Sequence, residues 1–184
     1  DIVSIVVKEW IYRYTIQAAD SIHSSALKAD AWHHRSDALS SVGAFVGICG
    51  ARMGFAFMDP AASIVICIFI CKASLDVLSK AKGHTVAILG DMFELGPKAH
   101  EMHCETGEFA AEAGIDELIC IGYLSEDIAR GAVSANPEME VHHFDTKTEF
   151  LDHIDTLINK DDTILVKASH AMEFPEIVEI LKKR

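Results

Sequence analysis

Between Ala61 and Cys71 the chain carries no charge and no amide side chain, and Ser63 is its one hydroxyl. A helix over such a stretch is apolar all round, so it needs lipid or other helices as its surroundings. Directly after it, Lys72-Ala73-Ser74-Leu75-Asp76-Val77-Leu78 reads as a helix with two charges, and His84-Thr85-Val86-Ala87-Ile88-Leu89 opens an ordinary water-compatible domain. The sequence therefore divides into two unlike parts, residues 1–71 and 72–184. Function has to be read separately for each.

Charge follows the same division. The first part holds 5 Lys/Arg against 6 Asp/Glu, whereas the second holds 11 against 22. So acidic a second part lacks the basic patch that a nucleic-acid partner requires. The five cysteines (Cys49, Cys67, Cys71, Cys104, Cys120) form no CxxC pair, which fits a reducing compartment and gives no disulfide framework. The sequence opens on Asp1 with neither Met nor a basic, cleavable leader, and a start further upstream is expected.

In the first part, Ile2–Val7 is apolar and then gives way to Lys8, Glu9, Tyr12, Arg13 and Tyr14. This reads as the end of a spanning helix at an aromatic, basic interface, shorter than the ~20 residues a full crossing needs. Lys8, Arg13 and Lys28 flank the following loop and place it in the cytoplasm by the positive-inside rule. From Ser25 one long helix is expected to about Phe55. It is charge-free from Ala38 to Ala51, with glycines at 43, 47, 50 and 54 at the spacing that lets helices approach closely. Asp59-Pro60 then supplies a cap and a first helical residue.

The chemistry of this part lies in Asp30-Ala31-Trp32-His33-His34-Arg35-Ser36-Asp37. His33 and Asp37 are four apart and share a helix face, as do Asp30 and His34, so each pair can grip an ion. An interfacial charge cluster at the headgroups is the alternative. Cys67 and Cys71, also four apart, read as small core residues more readily than as soft metal ligands.

The segment Leu27-Lys28-Ala29-Asp30-Ala31-Trp32-His33-His34-Arg35-Ser36-Asp37-Ala38-Leu39-Ser40-Ser41, followed by an apolar helix, resembles the last two transmembrane helices of cation diffusion facilitators. The resemblance implies that His33 and Asp37 are two of four ligands of a transported divalent cation such as zinc, exchanged for protons. It also implies lipid as surroundings and a homodimer or other transmembrane helices as partners. The two remaining ligands of that family lie on a helix with no counterpart in these residues, so the tetrahedral site is half built.

The second part alternates strand and helix. Strands are expected at 85–89, 118–121, 141–144 and 163–166, and helices at 98–113, 125–134, from the Thr146-Lys147-Thr148-Glu149 capping box onward, and at 175–183. Gly114-Ile115 stops the first of these helices. The adjacent His142 and His143 fall on opposite faces of a strand, with one ring expected buried and one exposed. The fold class is thus mixed: an N-terminal α-helical transmembrane hairpin, then a Rossmann-like α/β domain with a parallel sheet. Ligands are expected beyond the carboxyl ends of the strands, where Gly90-Asp91-Met92-Phe93-Glu94-Leu95-Gly96 and Lys167-Ala168-Ser169-His170-Ala171-Met172 lie. Neither is a phosphate loop. Their carboxylates, hydroxyl and imidazole suit a small zwitterion; the alternative, which the chemistry alone favours, is that Asp91 caps a turn and His170 is merely exposed.

These two loops, with His103 and Gly107 between them, resemble the C-terminal domain of the Mur ligases that add D-alanyl-D-alanine to the peptidoglycan precursor. The resemblance implies that Asp91, Glu94, Lys167, Ser169 and His170 face the dipeptide, with His103 in support. ATP and magnesium belong to a central ligase domain that has no counterpart in these residues. The two resemblances meet over Lys72-Ala73 without a polar linker, which implies a join made by recombination, sequence assembly or design. The expected product is a two-module chain of the inner (cytoplasmic) membrane, with its second part in the cytoplasm and no complete activity of its own. A divalent-cation transporter is the alternative.

Overall fold

The computed structural model describes residues 2–22, 25–54 and 58–183, with some helix side chains, those of His33 and Asp37 included, outside the described residues. The chain forms two compact units, Asp1–Ile70 and Cys71–Arg184.

In the first unit, α1 (Ile2–Ser21) and α2 (Ser25–Arg52) form an antiparallel pair, and α3 (Met58–Ser79) begins there and runs through the unit boundary. The polar residues from Lys8 to Tyr14, expected to end a helix, do not end it. Glu9 and Arg13 pair across one turn at 3.0 Å, and their neighbours tie α1 to α2. Lys8 Nζ donates to Ser41 Oγ (3.1 Å), and Arg35 donates to the Tyr12 hydroxyl (3.0 Å) while its guanidinium lies 4.8 Å above the Tyr12 ring. Ala19, Ala31, Ala38 and the glycines at 43, 47 and 50 are buried. Large apolar side chains face outward instead: Phe45, Val46 and Ile48 on α2, Met53 just after it, and Trp10 stacked on Tyr14 at 6.0 Å on α1.

Among the described residues no helix is both long and apolar enough to cross a membrane, so the transmembrane hairpin of the sequence reading appears here as a helical pair without a demonstrated span. The cap expected at Asp59 and the apolar run Ala61–Ile64 lie outside the described side chains.

The second unit is built on four parallel strands, β1 (Thr85–Gly90), β2 (Glu117–Ile121), β3 (Glu140–Phe144) and β4 (Thr163–Lys167), in the order β3-β2-β1-β4. β1 and β2 are buried throughout, as the continuous apolar runs require of strands covered on both faces. On one face, Leu75 and Leu78 of α3 join α4 (Ala99–Glu112) and α5 (Ser125–Ala135) over Ala87, Leu89, Leu118 and Cys120. On the other, α6 (Lys147–Leu157) and α7 (Pro175–Leu181) cover Val86, Ile88, Ile119 and Ile121 with Phe150, Ile154 and Ile177.

Local signals set the helix ends. Gly114 takes φ +76° and stops α4, with the Ile115 N–H returning to the Ala110 carbonyl. Thr146 accepts the Glu149 N–H at the start of α6, and Glu149 reaches back to the N–H of Asp145, one residue before the cap. His142 and His143 do diverge, but both rings are half-buried, because His142 turns to Glu140 (3.2 Å) and His143 to the Gly122 carbonyl (2.9 Å).

Two glycines let α4 and α5 pack backbone to backbone. A Cβ at Gly107 would lie 1.9 Å from the Ile128 carbonyl oxygen, and one at Gly131 would lie 2.1 Å from that of Cys104. Gly131→Ala is therefore expected to cost about 1–3 kcal/mol through forced separation of the helices, read as a lower urea midpoint of the second unit's transition.

The amino end of the sheet carries a carboxyl group under strain of burial. Glu117 is 4% exposed and among the described residues its Oε1 lacks a hydrogen-bond partner, with His142 Nε2 3.7 Å away. Burial pushes its pKa up, against the pull of His142. Beside it, the Thr85 hydroxyl and amide both donate to Asp116 (2.7 and 2.8 Å) and hold that carboxyl below its usual range. Because the folded state binds the Glu117 proton more tightly than the unfolded chain does, stability is full below the ordinary carboxylate pKa. It falls as pH rises through the raised value. Glu117→Gln should then be more stable than the parent at about pH 7, with the difference closing at about pH 3, in matched denaturant melts.

Candidate ligand site at the carboxyl edge of the sheet

β1 delivers Gly90 and then Asp91 to the carboxyl edge, and Asp91 is 5% exposed there. Its Oδ1 accepts the Ser125 N–H at 2.7 Å, which satisfies an orphan donor in the first turn of α5 and sets a negative charge at the positive end of that helix. The close approach demands a glycine opposite. Gly122 sits at φ +117°, and a Cβ there would lie 2.5 Å from Asp91 Oδ1. Ser125 Oγ donates to the Gly122 carbonyl at 2.7 Å and closes the turn.

The next residue is held by a histidine. His103, 2% exposed, accepts the Met92 N–H on Nε2 (3.0 Å), while its Nδ1 lies 2.6 Å from the Ala99 carbonyl. That pair of contacts fits a neutral ring with its proton on Nδ1. Ser169 then joins the two loops. Its Oγ accepts the Phe93 N–H (2.7 Å), and its own N–H donates to the Asp91 carbonyl (3.0 Å).

Beyond Ser169, residues His170–Met172 form a 3-10 turn ended by Glu173 at φ +54°. Lys167, Ser169 and His170 line an open cleft of about 450 Å³ together with Phe174, Glu179 and Lys182. The five proposed ligand-facing residues thus fall into three settings. Asp91 is buried and engaged as a helix cap; Lys167, Ser169 and His170 share the cleft; Glu94 stands exposed on the first loop at φ +64°.

Gly122 and Ser125 were not singled out from the sequence, because a glycine after an apolar strand is too common to mark a carboxylate's partner. A second cluster was also missed. Buried Asp127 of α5 is paired with His100 and Arg130, and His100 meets the exposed Tyr123 ring edge-on at 6.4 Å. His100 and Asp127 are 27 residues apart, and no local spacing announces them.

In the first unit, His33 and Asp37 lie on α2, with their side chains outside the described residues. Among the described residues no group of three or more His, Cys, Asp or Glu is placed to hold a metal ion.

Comparison with known proteins matches this division. Residues 71–170 match the family model for the Mur ligase, glutamate ligase domain, and residues 2–82 match the one for the cation efflux transmembrane domain. The first match takes in more than half of the chain, which belongs to the Mur ligase, glutamate ligase domain family. The chain is 33% identical over 113 residues to the UDP-N-acetylmuramoyl-tripeptide--D-alanyl-D-alanine ligase of Escherichia coli K12, across 60% of this chain and 24% of that protein. It is 45% identical over 74 residues to metal tolerance protein C1 of Arabidopsis thaliana, across 40% of this chain and 16% of that protein. The crystal structure of MurF from Acinetobacter baumannii shares the fold, with a TM-score of 0.57 at 23% identity, over 64% of this chain and 26% of that one. The two parts of the chain are thus similar to two different families, and the chain spans 16% to 27% of the length of the first curated relatives it matches.

Asp91→Ala removes the α5 cap and leaves the Ser125 N–H buried without its acceptor. A loss of about 1–2 kcal/mol is expected, with faster amide exchange at Ser125 and Phe93 as the local signature.

Proposed function

We propose that residues 72–184 act as the substrate-positioning domain of a Mur-type ligase, and that residues 1–71 are a membrane-inserted piece of a cation-efflux protein. On this reading the carboxyl-edge loops receive D-alanyl-D-alanine for ATP-dependent addition to the peptidoglycan precursor. ATP and magnesium are held by a central domain outside these 184 residues. The chain by itself completes neither ligation nor transport.

The observation that carries the ligase reading is the Ser169 junction. One side chain fixes both loops, so the Lys167–His170 cleft and the Asp91–Glu94 loop are presented as one surface. The chemistry suits a zwitterion: Lys167 and His170 offer positive and donor groups to a carboxylate, and Glu94 offers a carboxylate to an ammonium. Asp91 contributes through the loop it anchors and His103 through the Met92 amide it holds. Positioning of this kind accelerates a reaction by fixing the nucleophile before bond formation.

The membrane reading is supported by the match of residues 2–82 to a transmembrane domain and by the outward-facing Phe45, Val46, Ile48, Val65 and Phe69. His33 and Asp37 supply half of a site for a divalent cargo such as zinc, with lipid, a second copy or other helices around it. The inner membrane, with residues 72–184 on the cytoplasmic side, is the location this implies.

Titration of D-alanyl-D-alanine into the isotope-labelled, detergent-solubilised full chain should move the amide signals of Ser169, His170 and Glu94. Ser169→Ala should weaken the response roughly fivefold, the worth of about 1 kcal/mol. Unmoved signals at millimolar dipeptide would sink the ligase reading. Zinc titration of the same sample should show binding that is lost in the His33→Ala/Asp37→Ala double variant, and equal binding by both would remove the cargo site.

A further inference from the structure

At the amino end of the sheet two carboxyl groups compete for one donor. Glu117 opens β2 and Glu140 opens β3, and the two residues are direct partners in the parallel register. Their side chains fall on the face that carries Ile119, Ile121 and Phe144, the face covered by α6 and α7. Two carboxylates so placed repel, the more so where one is buried. His142, two residues along β3, stands between them, with its Nε2 3.2 Å from Glu140 Oε1 and 3.7 Å from Glu117 Oε1. The nearer carboxylate takes the bond, so among the described residues the buried Glu117 oxygen goes without one.

The charges that bear on Glu117 are those of His142 and Glu140 on β3, of His84 ahead of β1 and of Asp162 ahead of β4. His84 and Asp162 are paired with each other at 3.2 Å. The Thr85 hydroxyl and amide both go to Asp116. From α6 and α7 this face receives Phe150, Ile154, Ile158 and Ile177, none of them charged. Among the described residues no group of three or more His, Cys, Asp or Glu is placed to hold a metal ion. The Glu117 side chain is only 5% exposed, which shields it from the charged side chain of another protein. A proton is the ligand this oxygen fits.

We infer that a proton shared between Glu117 and His142 latches the edge strand β3 onto β2, and that its release as pH rises loosens β3. With the proton in place, either an imidazolium lies between the two carboxylates or a neutral Glu117 carboxyl group faces a neutral ring. With it gone, a buried carboxylate opposes a second one across an uncharged ring. Burial pushes the Glu117 pKa up, so the paired strand binds the proton more tightly than the open strand does. Pairing is therefore complete at low pH and weakens as pH rises through the raised value. The latch bears on the carboxyl edge because β3 runs to it. There the Gly122 N–H donates to the Phe144 carbonyl (2.9 Å), and the His143 ring lies 2.9 Å from the Gly122 carbonyl, on the turn that faces Asp91. The device does not depend on which ligand that edge receives.

Amide hydrogen exchange on the full chain tests this, compared as protection factors at about pH 5 and about pH 8. Counting back by twos from the Gly122–Phe144 bond, the His142 N–H is among those that β3 turns to β2. Its protection should fall roughly tenfold or more between the two conditions, the effect of about one pKa unit, with a smaller fall at Gly122, while the amides of β1 keep theirs. Glu117→Gln, uncharged at both and carrying a donor of its own, should remove the dependence. Glu140→Gln, on an exposed side chain, should reduce the fall without disturbing the core. Equal protection of the His142 amide at both conditions would overturn the inference, as would a fall shared in full by β1. So would a fall of the parent's size in Glu117→Gln or in Glu140→Gln.

Discussion

The carboxyl edge of the second unit depends on one buried carboxylate. Asp91 leaves β1 and turns its Oδ1 to the first turn of α5, while its backbone carbonyl takes the Ser169 N–H. One residue thus links the ends of β1, β2 and β4. The link needs Gly122, since any side chain there would meet the carboxylate. A charged group this deeply buried is tolerated because a backbone donor and a helix end compensate it. Ser169 and His103 extend the same fixation along the loop through the Phe93 and Met92 amides. The two loops are therefore held on one hydrogen-bonded frame, and a frame fixed in advance lowers the ordering cost of binding.

The boundary between the two units falls inside a helix. α3 runs unbroken from Met58 to Ser79, uncharged from Pro60 to Cys71 and then bearing Lys72 and Asp76. The two family matches overlap over residues 71–82. Physically this shared stretch belongs with the sheet, for Leu75 and Leu78 are buried among α4, α5 and the central strands, and Lys72 lies 5.1 Å above the Phe109 ring. A helix is a tolerant place for such a join, because its backbone bonds are satisfied within the segment whatever precedes it. A join inside a strand would have to preserve register with its neighbours.

Much of the second unit was legible residue by residue. Thr146 and Glu149, Gly114 and the apolar runs at 85–89 and 118–121 each carry a local signal, and each sits where that signal puts it. Charge at Lys8–Tyr14 reads as a helix end, whereas the Glu9–Arg13 pair and the contacts of Lys8 and Tyr12 with α2 sustain the helix. The site was legible in its loops but not in its wiring. That Asp91 caps α5, that Ser169 bridges the loops and that His100 meets Asp127 are all contacts between residues far apart in sequence. No periodicity encodes them.

The core and the edges of the same unit are governed by different groups. Burial in the core is set by side chains from both helical layers, and those layers are present over β1 and β2. Edge pairing is set by backbone groups, which no side-chain layer replaces. Unit two can therefore fold around β1 and β2, and among the described residues β4 pairs with β1 alone. The two edge strands differ in kind: β3 carries Glu140 and His142, charged and polar groups that discourage further pairing, and β4 carries isoleucine, leucine and valine.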